Sequence, residues 1–387
     1  MTTSAPARWP LVRTFGDGAI DALPGIVHRL GHRRILLVCG ERSFEASGAA
    51  RILPRFHDDA EVVRWSGFAP NTDVADLRRG LEIAQDLGPE AVLGIGGGSA
   101  LDMAKLITAY QDIPPETVTD EIRAGRTVST RRCGLLLTPT TSGSGSEATH
   151  FAVVYVDEVK HSVGGPALRA DHVVIDPSLT LSGSPYQRAT SGIDAVAQAI
   201  ESLWATGATP WSRRFAWGAL HRLLPVIETF VRHPDRSSAR AMAIGAHLAG
   251  RAIDISKTTA PHALSYGITK SYGPSHGHAV ALTLGAFVAE HARATPERLR
   301  SGVDPGEHRR NMADILEILG ARNADEAHHR VDDLVARLGL RVGLAANGIT
   351  TSQQRAALAA EVNVERLGNN PIHLDVSELE RILERCA

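Results

Sequence analysis

The stretch APHALSYGITKSYGPSHGHA, residues 260–279, gathers three histidines (His262, His276 and His278) and two tyrosines in a chain otherwise poor in aromatics. An isolated imidazole is more often packed than ligating, so the cluster needs partners elsewhere. IDAVAQAIES (193–202) supplies them: Asp194 and Gln198 are four residues apart and share one helical face among alanines. Such a carboxylate and amide are either a buried hydrogen-bonded pair or oxygen donors to a metal. His262 opens a helical stretch that Gly273 and Pro274 must interrupt, which puts His276 near the start of a new helix and able to point back at His262. Asp194, His262 and His276 would then offer one carboxylate and two imidazoles, a set suited to Fe(II) or Zn(II) with room left for a substrate. Gln198 would be at best a weak fourth ligand.

A second chemistry is suggested by GIGGGSALDMAK (94–105), which follows the apolar run AVLGI and opens a helical pattern. Consecutive glycines let backbone approach a ligand, and the positive end of the next helix attracts a pyrophosphate. By themselves the glycines are equally compatible with a tight turn. LTPTTSGSGSEATH (137–150) follows another apolar run with dense hydroxyls that could donate to the ribose and amide of a nicotinamide. It could equally be an ordinary loop.

The elements that must position these groups are legible in outline. ILLVC, EVVRW, AVLGI and GLLLT read as strands, with helical spacing in DVADLRRGLEIAQDL and LDMAKLITAY between them, the rhythm of strand, crossover helix and parallel strand. FAVVYV and HVVID are two further strands. Beyond Pro185 helical patterns follow one another, so the spacing predicts an α/β nucleotide-type domain over 1–185 and an all-α domain over 186–387. The polar stretches 112–132 and 293–310 read as surface excursions or a lid. A net charge of -2 gives no basic footprint for nucleic acid. The three scattered cysteines fit a reducing compartment, and no run of eighteen apolar residues is present. A soluble cytoplasmic protein acting on a small molecule, with neither nucleic acid nor membrane as partner, is expected.

Taken in order, GGGSALDMAK, TTSGSGSEAT, DAVAQAIES and the paired histidines of SHGHA resemble the iron-containing (group III) alcohol dehydrogenase family over nearly the whole chain. The resemblance implies a Rossmann-like dinucleotide-binding domain, a helical metal-binding domain, and hydride transfer between NAD(P)H and a small aldehyde or ketone. It places Asn71, Gly97, Gly98, Ser99, Asp102, Thr138, Thr141, Thr149 and Lys160 at cofactor positions, Asp194, Gln198, His262 and His276 at metal positions, and implies a homodimer. Two departures stand out. The family usually has histidine where this chain has Gln198, and a second histidine where it has Tyr266, leaving Tyr266 or His278 as the proton relay. DAxAQAIES with HALSYxIT and HGHAVALT looks like the branch of phosphonoacetaldehyde reductases, for which Arg366 and Lys257 are the candidate partners of an anionic substrate. Gly40 stands where the family has an acidic residue after the first strand, and with Arg42 nearby it favours NADPH. Rival expectations are a dehydrogenase for small neutral alcohols, a relative of the lyase dehydroquinate synthase, and a cofactor-binding sensor without catalysis.

Overall fold

The computed structural model describes residues 12–58, 60–362 and 364–387. It divides into two compact units between Gly183 and Ser184. The first is built on a parallel six-stranded sheet of β1 (Val12–Phe15), β2 (Arg34–Cys39), β3 (Glu61–Trp65), β4 (Ala91–Gly96), β5 (Gly134–Pro139) and β8 (His172–Ile175) in the order β1-β8-β5-β4-β2-β3. Ile35, Leu36, Leu37 and Val38 of β2, like Val92 and Leu93 of β4, have no exposed surface. Strands covered on both faces explain why these segments read as continuous apolar runs rather than alternating ones.

Strand order reverses between β2 and β4, since β3 lies on one side and β5 on the other. In open parallel sheets, ligands bind beyond the strand C-termini at such a reversal. Gly40 follows β2 there, and Gly96 ends β4 with Gly97 and Gly98 after it. A Cβ on Gly96 would lie 2.7 Å from that of Ala100 and 3.7 Å from Gly40 N, so the two turns approach through glycine backbone.

FAVVYV does not join the parallel sheet. As β6 (Phe151–Val156) it pairs antiparallel with β7 (Val159–Gly164), across a turn in which Asp157 and Glu158 have φ of 48° and 63°. The stretch 112–132 carries a short helix, Val118–Arg123, with Val118 and Ile122 buried, and Val128 exchanges backbone bonds with Gly164 and Ala167. The stretch 293–310 is likewise anchored: Arg298 pairs with Glu290 and Glu378, and Arg300 Nε donates to Asn370 O at 2.8 Å. Neither segment is a loose lid. Among the described residues no helix is long and apolar enough to cross a membrane.

The second unit is helical, and its hub is His276–Ala292, whose residues from Gly277 to His291 are all buried. A helix apolar on every side must be wrapped by others. Pro185–Trp204, Ala260–Tyr272, Pro305–Ile318, Ala324–Arg337 and Val376–Glu384 pack around it. The tightest approach is at Gly277, where a Cβ would stand 2.0 Å from Thr190 O and 2.8 Å from the Cβ of Asp194. Gly277→Ala is therefore expected to force two helices apart, lowering Tm by roughly 2–12 °C, as overpacking in a unit of this size does. Thermal unfolding followed by circular dichroism checks this, and an unchanged Tm would contradict the packing described.

Candidate functional site

Asp194 lies midway along Pro185–Trp204, a helix whose first turn is capped by Ser184. His262 sits in the first turn of Ala260–Tyr272, and His276 is the first residue of His276–Ala292. One ligand atom from each of the three falls within 4.8 Å of the others, with Asp194 and His262 buried and His276 partly so. The Nε2 of His262 is 3.3 Å from Asp194 Oδ1, and the two imidazole centroids are 5.3 Å apart.

Hydrogen bonds behind the rings decide which nitrogen faces inward. His262 Nδ1 is 2.5 Å from Glu201 Oε1, so it carries the proton and Nε2 turns to Asp194. Ser265 donates its hydroxyl to His262 O at 2.7 Å and is left to accept from His276 Nδ1 at 3.2 Å, which turns His276 Nε2 inward as well. Glu201 has no exposed surface; its other oxygen accepts from Thr259 N (2.5 Å) and Thr259 Oγ1 (2.8 Å), and Trp204 Nε1 donates to the same hydroxyl (2.9 Å). Burial opposes charge on His262, but Glu201 foremost and then Asp194 outweigh it and raise the imidazole to about 9. A pocket that holds a proton this firmly also favours a divalent cation in its place. Two inward Nε2 atoms and a carboxylate are a donor set that fits such an ion.

Gln198, one turn beyond Asp194, donates Nε2 to Asp194 Oδ2 at 3.1 Å. The NH2 must be the group facing a carboxylate, so the amide oxygen is the only atom through which Gln198 could ligate. Tyr266, one turn after His262, stacks on His276 at a centroid separation of 6.0 Å. His278 is placed otherwise. Two residues past His276, it faces away from that ligand; its Nε2 donates to Arg341 O (2.8 Å) while Nδ1 faces Tyr186. Of the two relay candidates, Tyr266 and not His278 is the one beside His276.

Glu201 and Ser265 were not among the expected site residues. For Glu201 the signal was present, since Asp194, Gln198 and Glu201 follow i, i+4, i+7 spacing along one helical face. Arg366 is only 7 % exposed, so it is not a solvated surface charge, and its short helix packs against Ala260–Tyr272. Lys257 is half-buried, in the turn between the Arg236–Ser256 helix and His262.

In the first unit, Gly97 caps the Gly98–Tyr110 helix with no side-chain bond, and a Cβ on Gly97 or Gly98 would meet Thr141 Oγ1 at 3.6 Å or Ser144 Oγ at 3.0 Å, so the hydroxyl-rich loop lies against this end. Ser99 Oγ accepts from the N–H of Asn71, itself in the left-handed region at φ 67°. Thr138 and Thr149 are buried and Thr141 is partly exposed. Asp102 uses both oxygens internally, on Ser146 Oγ and Val153 N, tying its helix to the hydroxyl-rich loop. Thr149 Oγ1 accepts from the fully buried Lys105 at 2.8 Å. The charge of Lys160 reaches Asp102 from the β6–β7 hairpin.

Two family models match the chain: iron-containing alcohol dehydrogenase over residues 12–177, and the C-terminal domain of the Fe-containing alcohol dehydrogenase family over 188–387. The chain belongs to the iron-containing alcohol dehydrogenase family. It is thus an NAD(P)-dependent oxidoreductase of the alcohol dehydrogenase and aldehyde reductase class, using NAD(H) and a divalent metal. Long-chain-alcohol dehydrogenase 1 of Geobacillus thermodenitrificans is 29 % identical over 97 % of this chain and 95 % of its own. The phosphonoacetaldehyde reductase of Streptomyces viridochromogenes is 30 % identical over 84 % of this chain and 82 % of its own. The solved sulfoacetaldehyde reductase from Bifidobacterium kashiwanohense, in complex with NAD+, superposes with a TM-score of 0.86 at 27 % identity, covering 99 % of both chains.

Glu201→Gln should weaken metal binding by about 10- to 100-fold, the usual effect of losing a carboxylate behind a ligating histidine. Competition between the metal-stripped protein and a fluorescent chelator measures this directly. Affinity equal to the parent's would show that Glu201 does not orient His262.

Proposed function

We propose that this dehydrogenase reduces a small aldehyde bearing an anionic group, a phosphonate foremost, to the corresponding alcohol, using NADPH at least as well as NADH and Fe(II) or Zn(II) held by Asp194, His262 and His276. It would work as a cytoplasmic homodimer. The observation that carries the substrate reading is the buried guanidinium of Arg366 on a segment packed against the His262 helix. Two of the relatives above are reductases of aldehydes that carry a phosphonate or a sulfonate.

When bound, the metal supplies Lewis acidity at the carbonyl oxygen and the reduced nicotinamide supplies the hydride. The chain's own part is the proton and the grip on the substrate. Tyr266 would donate a proton to the nascent alkoxide, a role supported by its stacking beside His276. A phenol with a reference pKa of about 10 is a weak base at neutral pH but a competent acid toward an alkoxide. Arg366 offers the planar fork that binds two oxygens of a phosphonate at once.

Arg366→Ala should lower kcat/KM for phosphonoacetaldehyde tenfold or more, since charge-assisted bonds contribute about 1.5–3 kcal/mol each, and lower that for propanal far less. Steady-state NAD(P)H consumption with both aldehydes in parent and variant provides the test. A parent that prefers propanal, or parallel losses, would favour the second reading, a dehydrogenase for neutral alcohols like the Geobacillus relative.

For the cofactor, the support is Gly40 at the strand-order reversal, which leaves that position without a carboxylate and the exposed Glu41 and Arg42 after it as the first charges of the turn. A Cβ at position 40 would meet Ser43 Oγ at 2.3 Å, a contact that rotation of the serine relieves. Gly40→Asp should therefore cut efficiency with NADPH by about tenfold relative to Gly40→Ala while sparing NADH. Strict NADH dependence of the parent would overturn the NADPH preference.

A further inference from the structure

Lys257 ends the Arg236–Ser256 helix with φ 60° and ψ 178°, a backbone region that glycine enters freely and other residues only under strain. It is one of four non-glycine residues with positive φ among those described, and the other three, Asn71, Asp157 and Glu158, have φ between 48° and 67°. Asp157 and Glu158 form the hairpin turn between β6 and β7, where such values are ordinary. Lys257 has no turn of that kind to account for it. Its neighbours hold it in place instead.

The Asn369 amide is the clamp. Its Nδ2 donates to Ser256 O at 2.8 Å and to Thr258 O at 2.9 Å, the carbonyls on either side of Lys257. Its Oδ1 accepts from Thr206 Oγ1 (2.9 Å) and Gly207 N (3.0 Å), and its own N–H donates to Arg366 O (3.2 Å). One residue thus joins the Thr206–Gly207 turn and the strained Lys257 turn through its side chain, and the segment bearing Arg366 through its backbone. The residue after Thr258 is Thr259, whose N–H binds the Glu201 that orients His262. Both cations therefore lie on backbone tied to the metal-ligand helix, and a simple glycine would have suited the turn better than the lysine it carries.

We infer that Lys257 is a specificity residue whose ammonium shares with Arg366 the anionic group of the substrate, and that Asn369 is the positioning residue that imposes the strained turn. This rests on the reading of an anionic substrate given above, and it narrows the class. A guanidinium fork occupies two oxygens, so a second, separate cation is useful to a three-oxygen anion such as a phosphonate or sulfonate and superfluous to a carboxylate.

The test uses metal-loaded enzyme and two probes, methylphosphonate and acetate, as inhibitors of aldehyde reduction. Lys257→Gly should raise Tm by roughly 2–6 °C through release of strain. It should also weaken methylphosphonate inhibition about tenfold or more, and lower by a similar factor the ratio of kcat/KM for phosphonoacetaldehyde to that for propanal. Lys257→Arg, which keeps the charge, should retain most of the inhibition. Asn369→Ala should raise KM for phosphonoacetaldehyde more than it lowers kcat, and should cost less Tm in the Lys257→Gly background than in the parent, because the turn no longer needs holding. If methylphosphonate inhibits the parent no better than acetate, the anionic reading falls and this inference with it. If it inhibits parent and Lys257→Gly equally, or if Lys257→Gly lowers Tm, the inference alone is overturned and the anionic reading stands.

Discussion

The helical unit depends on one backbone approach. Gly277 brings the His276 helix so close to Thr190 O that no side chain fits between them. The same contact sets the Cβ of Asp194 against the start of the hub helix, and it does so one residue from a proposed metal ligand. Carboxylate and imidazole arrive within ligating distance because two helices touch through glycine. The five helices around the hub then fix its tilt and rotation, and with them the direction in which His276 points.

Around that contact, polar groups are arranged so that no imidazole has a choice of tautomer. Glu201 holds one ring from behind and Ser265 the other, while Gln198 steadies the carboxylate. The Glu201 network continues through Thr259 to Trp204, whose indole stacks on His291 at 4.3 Å, and His291 in turn faces Asn370 across 3.1 Å. The short helix of Arg366 and the proposed metal ligands are therefore joined by one framework of hydrogen bonds and ring stacking, not separate features that happen to be near each other.

Much of this was legible in the sequence because it follows from periodicity. β2, β3, β4, β5 and β8 announce themselves as apolar runs, and Asp194, His262 and His276 were readable from helical spacing and the Gly273–Pro274 break. β7 was not, since Lys160, His161 and Ser162 give a hairpin strand no apolar signature, and β1 is four residues long with a partner distant in sequence. The surroundings of His278 were not legible, because which way a side chain faces depends on register along a helix as well as on proximity in sequence. The strain at Lys257 lay beyond any local reading: nothing in Ser256–Lys257–Thr258 demands a positive φ, and the residue that enforces it is Asn369, far along the chain.

Only Gly273, Pro274 and Ser275 separate the helix of His262 from that of His276. The two imidazoles thus belong to a single helical hairpin and would meet a metal as a prefabricated pair of donors, since closing so short a connection costs little chain entropy. Asp194 comes from another part of the chain and completes the set from outside. Any fluctuation that parts the Pro185–Trp204 helix from the hairpin removes the carboxylate but leaves both nitrogens together. At the proposed metal site, exchange of an ion would then run in two stages, loss of the carboxylate before release from the imidazole pair, and the integrity of one local hairpin would govern the ion's lifetime.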